Sequence, residues 1–251
     1  MKIRTICLMT ASVIMLGGCF STTDSDNIAS KGVWSRMTAQ SDGKNTEITV
    51  ELNVENDVGT NIQLANNESL IAQLGQQQKE LNESNVLANV SYSTNFATSQ
   101  DGSVATVTFN RDDGSVLTST ATIPDSFTIN QPLENQSAGK NDRVNVDWTT
   151  TSGETNIDIR LTATCTFKSS GLPRTITQDF NSVGDTGAYS INLSNISGLQ
   201  SADLDQTKDC SSTVTLWRKM KGKADSKLAA GSLATGIQKR QSKTFLIKLD
   251  R

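Results

Sequence analysis

The chemistry open to this chain is narrowed at once by a side chain it lacks. Its 251 residues include no histidine, so Ser-His-Asp and Cys-His nucleophilic catalysis and any metal site that needs imidazole are excluded. Carboxylates remain, and a paired-carboxylate hydrolase needs no histidine. Yet Glu51, Asp147 and Asp158 alternate with apolar neighbours onto the sides of strands that should face water. The acidic runs Arg111-Asp112-Asp113-Gly114 and Asp203-Leu204-Asp205 lack the ligand spacing of a calcium loop and read as turns. The chain has no GxSxG, no Walker A sequence and no GxGxxG. Ser-Lys catalysis is formally open, but nothing distinguishes one serine or lysine from the others. No catalytic residue, metal ligand or cofactor is therefore expected, and the chain reads as a non-enzyme.

The residues with the most specific chemistry lie at the N-terminus. Lys2 and Arg4 precede an apolar run from Ile6 to Leu16 that closes in Leu16-Gly17-Gly18-Cys19. About eleven apolar residues are too few to span a bilayer as a helix, but they suit a secretory signal core. The four closing residues resemble the lipobox of bacterial lipoproteins. That resemblance implies a signal peptide over 1–18 and lipid on Cys19, which becomes the first residue of the mature protein. Phe20 and Ser21 follow, where lipoproteins retained in the inner membrane usually carry Asp first, so an outer-membrane, lipid-anchored location is expected. The next stretch, to Gly32, is polar and without periodicity, and predicts a flexible lipidated tether over 19–32.

With Cys7 in the leader and Cys19 acylated, Cys165 and Cys210 remain, in a compartment that permits disulfides. From Ile157 to Phe167 apolar residues and Cys165 fall on odd positions, and Cys210 shares parity with Val214 and Leu216. Both thiols should point inward from strands. A bridge between them would stabilise by roughly 4 kcal/mol in the chain-entropy model. A metal or redox pair is disfavoured because CxxC spacing and histidine are both lacking.

The formal net charge of −3 conceals an asymmetry. Residues 218–251 carry +8, residues 19–217 carry −13 and the leader carries +2. Arg218, Lys219, Lys221 and Lys223, with Lys239, Arg240 and Lys243, could form a cationic patch for an anionic glycan or an acidic protein partner. They could equally form a solvated face that complements the acidic remainder. Trp217 should lie on the opposite face from Leu216, where it could stack on a sugar or cover a contact between domains. Trp148, in parity with Val144 and Val146, should be core. No nucleic-acid partner is expected.

These residues need a scaffold, and the patterns are those of strands. Residues 47–54 and 103–109 alternate cleanly, and Asp112-Asp113-Gly114 predicts a hairpin to 117–123. Six or seven strands precede Pro124. Beyond it, strands are predicted near 143–149, 156–167, 174–180, 189–193, 212–219 and 242–249, with a helical turn in 193–204. Residues 68–84 fit either strand plus loop or a short amphipathic helix. The expected fold is all-β, with two tandem immunoglobulin-like antiparallel β-sandwiches over 33–123 and 124–251. The alternative is one large sandwich or barrel. The second unit resembles immunoglobulin-like domains in strand count and in its inward cysteine pair, although Trp148 precedes Cys165 instead of lying between the cysteines. The mature part as a whole resembles tandem immunoglobulin-like envelope lipoproteins. The function that follows is a non-enzymatic binding or structural module of the cell envelope. An envelope hydrolase or a carbohydrate-binding accessory subunit is the alternative.

Overall fold

The computed structural model describes residues 22–86, 89–98, 101–151 and 155–250; the leader and Cys19 lie outside them. The first half supplies β1 (Thr22–Asp24), β2 (Val33–Ser41), β3 (Thr46–Val54), β4 (Asn61–Gln63), β5 (Ser69–Leu74), β6 (Gln77–Glu80), β7 (Asn82–Val86), β8 (Asn89–Phe96), β9 (Val104–Asn110) and β10 (Val116–Thr122). The second supplies β11 (Ile129–Gln131), β12 (Ser137–Gly139), β13 (Arg143–Trp148), β14 (Asn156–Thr166), β15 (Pro173–Gly184), β16 (Ala188–Asn192), β17 (Cys210–Lys221), β18 (Leu233–Gln241) and β19 (Phe245–Lys248). The chain is all-β.

Period-2 patterning explains most of this. In β3 the residues Ile48, Val50 and Leu52 turn inward against Leu70, Ala72 and Leu74 of β5, so residues 68–84 are strands and not a helix. Two hydrophobic cores result. One gathers β2, β3 and β8 against the four-stranded sheet β10-β9-β5-β6. The other gathers β14, β17 and β19 against the three-stranded sheet β11-β13-β16. The expected helical turn in 193–204 takes the form of two 3-10 turns, Leu193–Asn195 and Ser197–Gln200.

One sheet runs through both cores. Its order is β1-β4-β3-β2-β18-β17-β14-β15, with β7–β8 and β12–β19 attached, and β18 joins β2 in parallel from Leu233↔Arg36 to Gln238↔Ser41. The sequence patterns miss β18, and its inward residues show why. They are Ala234, Gly236, Gln238 and Arg240, which give no apolar stripe. Gly236 is small because β10 crosses it: an added Cβ would fall 1.8 Å from the Thr122 carbonyl oxygen. The β17–β18 hairpin reaches into the first core with Leu228 and Ala234. Backbone bonds tie it there between Lys223 and Thr120 and from the Ala229 N–H to the Val33 carbonyl. The two halves share a sheet and a hairpin and are not simply linked at Pro124.

The expected tether does not extend through Gly32. β1 pairs in parallel with β4, and a buried polar knot fixes the turns that follow. Arg111 Nε donates to Glu68 Oε1 at 2.5 Å, and Arg111 Nη2 donates to the carbonyls of Ser25 and Ile28 at 2.7 and 2.8 Å. Ser25 Oγ donates to the other Glu68 oxygen. Polar composition hid this anchor, because the segment docks through backbone carbonyls and not through apolar side chains.

Cys165 and Cys210 form the disulfide that joins β14 to β17. Replacing both by alanine is expected to cost about 2–4 kcal/mol, since the 45-residue separation is no longer closed in the unfolded chain. Thermal denaturation of the double variant beside the oxidised protein checks this.

Candidate functional site

The outer face of the long sheet is polar, and Trp217 sits on it. In β17 Val214, Leu216 and Arg218 turn inward while Thr213, Thr215, Trp217 and Lys219 turn outward. Register places Trp217 between Asp158 of β14 and Lys239 of β18. The ring is half-buried, whereas Trp34 and Trp148 are fully inside. The Arg160 guanidinium lies 5.5 Å from the ring centroid and Lys239 Nζ lies 5.9 Å from it, both within cation–π range. Around the ring is a groove open to solvent and lined by Gln40, Asp158, Arg160, Asp179, Asn181 and Lys219, among others. A second groove adjoins it across Gln40 and Lys239 and continues over Glu47 and Asn95.

The charges here are held in pairs. Arg160 grips Asp179 with two parallel hydrogen bonds of 2.6 and 2.9 Å. Those bonds, with the neighbouring positive charge, hold the Asp179 carboxyl below its ordinary range and raise Arg160. Lys219 pairs with Asp158, which also accepts the Ser182 N–H at 2.8 Å. A general acid must keep its proton near neutral pH, which calls for a raised carboxyl pKa. Asp179 is pushed the other way. The arrangement suits polar recognition around a fixed aromatic ring.

The basic residues predicted as a patch do not converge, because neighbours in a strand face opposite ways. Arg218 is 0% exposed and leaves the patch altogether. Its Nε and Nη2 donate to Asp185 at 2.7 and 3.1 Å, Nη2 also donates to the Thr149 carbonyl at 2.6 Å, and Nη1 reaches the Asp125 carbonyl at 3.2 Å. Phe127 stacks 4.5 Å from the guanidinium carbon. Trp148 Nε1 and Thr155 Oγ1 complete the shell around Asp185 at 2.7 and 2.6 Å. Arg240 turns to the same side as Arg218, with Phe127 at 5.9 Å, and burial lowers its pKa. Lys219 and Lys239 face the Trp217 groove, Lys221 and Lys223 lie at the far end of the hairpin, and Lys243 is exposed beyond β18. Sequence reading missed Arg160, Asp179 and Gln40, which only the register of β2, β14 and β15 brings to Trp217.

No family model matches the chain, and no curated protein matches it. Several solved structures are similar in outline. Fibronectin(III)-like modules of Clostridium thermocellum CbhA align at 10% identity over 85% of this chain and 90% of theirs, with a TM-score of 0.23. The FN1–FN3 domains of chicken CNTN1 align at 10% identity over 86% and 67%, with a TM-score of 0.31. The Yersinia pseudotuberculosis adhesin InvE aligns at 14% over 82% and 58%, with a TM-score of 0.24. Scores this low carry no functional argument, and the architecture rests on the strand pairing given above.

Proposed function

We propose that this chain is a lipid-anchored, non-enzymatic module of the bacterial cell envelope that binds a polar glycan across the Trp217 face. The observation that carries the reading is the half-exposed indole at the centre of a hydrogen-bonding groove, in a protein whose other two tryptophans are buried. Sugar rings present C–H faces that suit an aromatic plane, and hydroxyls that suit fixed polar pairs such as Arg160–Asp179. Lys239 is a single flexible chain over the ring, so a ligand can displace it at little cost. The anchor is Cys19, by the lipobox resemblance, and the outer membrane is the destination that Phe20 and Ser21 favour. The hydrolase alternative draws no support from this groove, since Asp158 and Asp179 are both occupied by cations.

Trp217→Ala is expected to weaken retention on peptidoglycan sacculi, lipopolysaccharide or heparin by up to about tenfold, the scale of one aromatic contact. Intrinsic fluorescence titration of the native protein should shift with the same ligand, because Trp217 alone among the three indoles is half-exposed. A Trp217→Ala protein that binds all three materials as the native protein does would overturn the reading.

A further inference from the structure

We infer that the loop 55–60, with Val58 at its tip, is the pole of the molecule that rests on the bilayer. The inference depends on the reading of Cys19 as the acylated residue and goes beyond it, because an anchor alone leaves orientation and height open.

The first observation is where the described chain starts. Thr22 is already in β1, paired in parallel with β4 in the register Thr22↔Asn61 to Asp24↔Gln63. Because the pairing is parallel, the backbone that leads into Thr22 enters from the side on which residues 58–60 lead into Asn61. Cys19, Phe20 and Ser21 are then the whole connection, and three residues reach at most about 10 Å. An acyl-bearing Cys19 cannot lie farther than that from Thr22, so this end of the body is brought against the membrane. The second observation is what lies there. Val58 is 87% exposed, more than any other large hydrophobic side chain among the described residues.

The loop is held and not loose. The Val54 N–H donates to the Thr60 carbonyl at 2.9 Å, Asn53 Nδ2 donates to the Asp57 carbonyl at 3.1 Å, and the Val58 N–H donates to Asn56 Oδ1 at 3.1 Å. An added Cβ at Gly59 would fall 1.9 Å from the Val54 carbonyl oxygen, so the turn is packed onto its own strand. The connection cannot lengthen cheaply either, because residues that follow β1 are bound by Arg111. Glu55 and Asp57 precede Val58, and Asp24 and Asp26 lie in the neighbouring segment, against Lys31 and an Arg36 that pairs with Asp57 at 3.9 Å. The pole therefore carries no cationic excess, and the short connection, not attraction to anionic headgroups, keeps it on the surface.

The placement also sets the height of the candidate site. β2 and β18 run in parallel away from this pole, and Lys239, beside Trp217, stands one residue past the Gln238↔Ser41 pair. Nine strand steps from Val33 put the Trp217 groove roughly 30 Å from the bilayer. The β14–β15 turn with exposed Leu172 is farther still.

The test uses full-length lipidated protein in vesicles of phosphatidylethanolamine and phosphatidylglycerol. Val58→Cys or Leu172→Cys is labelled with an environment-sensitive fluorophore, with the native disulfide intact. Spin-labelled lipid is expected to quench the probe at 58 severalfold more than the probe at 172. A Gly/Ser linker of about ten residues between Ser21 and Thr22 should abolish that difference. Equal quenching at the two sites, or quenching at 58 that survives the linker, overturns the inference while the anchor stands. Palmitate incorporation at Cys19 is read separately, and a chain that takes up none overturns the anchor and this inference together.

Discussion

Replacing Arg218 by alanine is expected to destabilise the protein by about 3–5 kcal/mol, the cost of stranding a buried charge. The guanidinium makes four hydrogen bonds where the two cores meet, two to Asp185 and one each to the carbonyls of Asp125 and Thr149. The Asp185 side chain is only 5% exposed. Burial pushes its carboxyl up, but hydrogen bonds from Arg218, Thr155 and Trp148 outweigh burial and hold it below the ordinary range. In the native protein this contribution is complete above the unfolded carboxyl value of about 3.9, and is lost as pH falls through the depressed folded value. Without Arg218 the largest favourable bond disappears while burial remains, so the folded carboxyl is expected to titrate higher than in the native protein. The stability difference between the two proteins is then smallest in acid and grows as pH rises. Urea denaturation of native and Arg218→Ala proteins should give a stability difference that is large at pH 7 and much smaller at pH 4. A difference that does not change with pH would show that lost packing on Phe127, and not the Asp185 charge, sets the cost.

Arg218 also shows how much of this molecule the sequence could disclose. Its parity with Val214 and Leu216 marks it as inward, yet its charge and its place among Lys219, Lys221 and Lys223 favour a surface patch. Parity is the correct guide. The same holds for Arg111, in step with Ala105, Val107 and Phe109, and for Glu68, in step with Leu70, Ala72 and Leu74. Strand periodicity reports where a side chain points regardless of its type, because it comes from the pleat. It also disclosed the inward cysteines and the outward Trp217, while the turn residues Asp112-Asp113-Gly114 disclosed the hairpin that joins β9 to β10. It failed at β18, whose inward Gly236 and Gln238 answer to partners more than a hundred residues away. Gly236 makes room for the Thr122 carbonyl, and Gln238 Nε2 donates to Asp101 Oδ1 at 3.0 Å. The joining of two sandwiches into one sheet depends on that strand, so it could not be read from either half alone. The Trp217 groove was half legible for the same reason: one strand gave the ring, and four others gave its surroundings.

Arg111→Met is the second substitution with a large expected effect, a loss of about 3–5 kcal/mol. Methionine keeps much of the arginine's apolar stem but removes every donor that reaches Glu68, Ser25 and Ile28. The Glu68 side chain is 0% exposed, so its carboxylate would be left in the interior with only the Ser25 hydroxyl and the Asp112 N–H, 3.4 Å away. Adding Glu68→Gln removes the uncompensated charge, and the double variant should recover a substantial part of the loss. The local consequence separates this site from Arg218. The segment 22–32 is bound by few apolar contacts beyond Ile28, so it should detach well below the global unfolding transition. Limited proteolysis at Lys31 should therefore accelerate in Arg111→Met under conditions that leave the sheet intact. A variant with native cleavage at Lys31 and native stability would show that β1 pairing alone holds the segment. On the proposed anchoring at Cys19, detachment would also lengthen the three-residue connection by about eleven residues, enough to lift Val58 from the bilayer without any inserted linker. Arg111 thus ties the start of the described chain to the first core, and the proposed orientation at the bilayer depends on that tie.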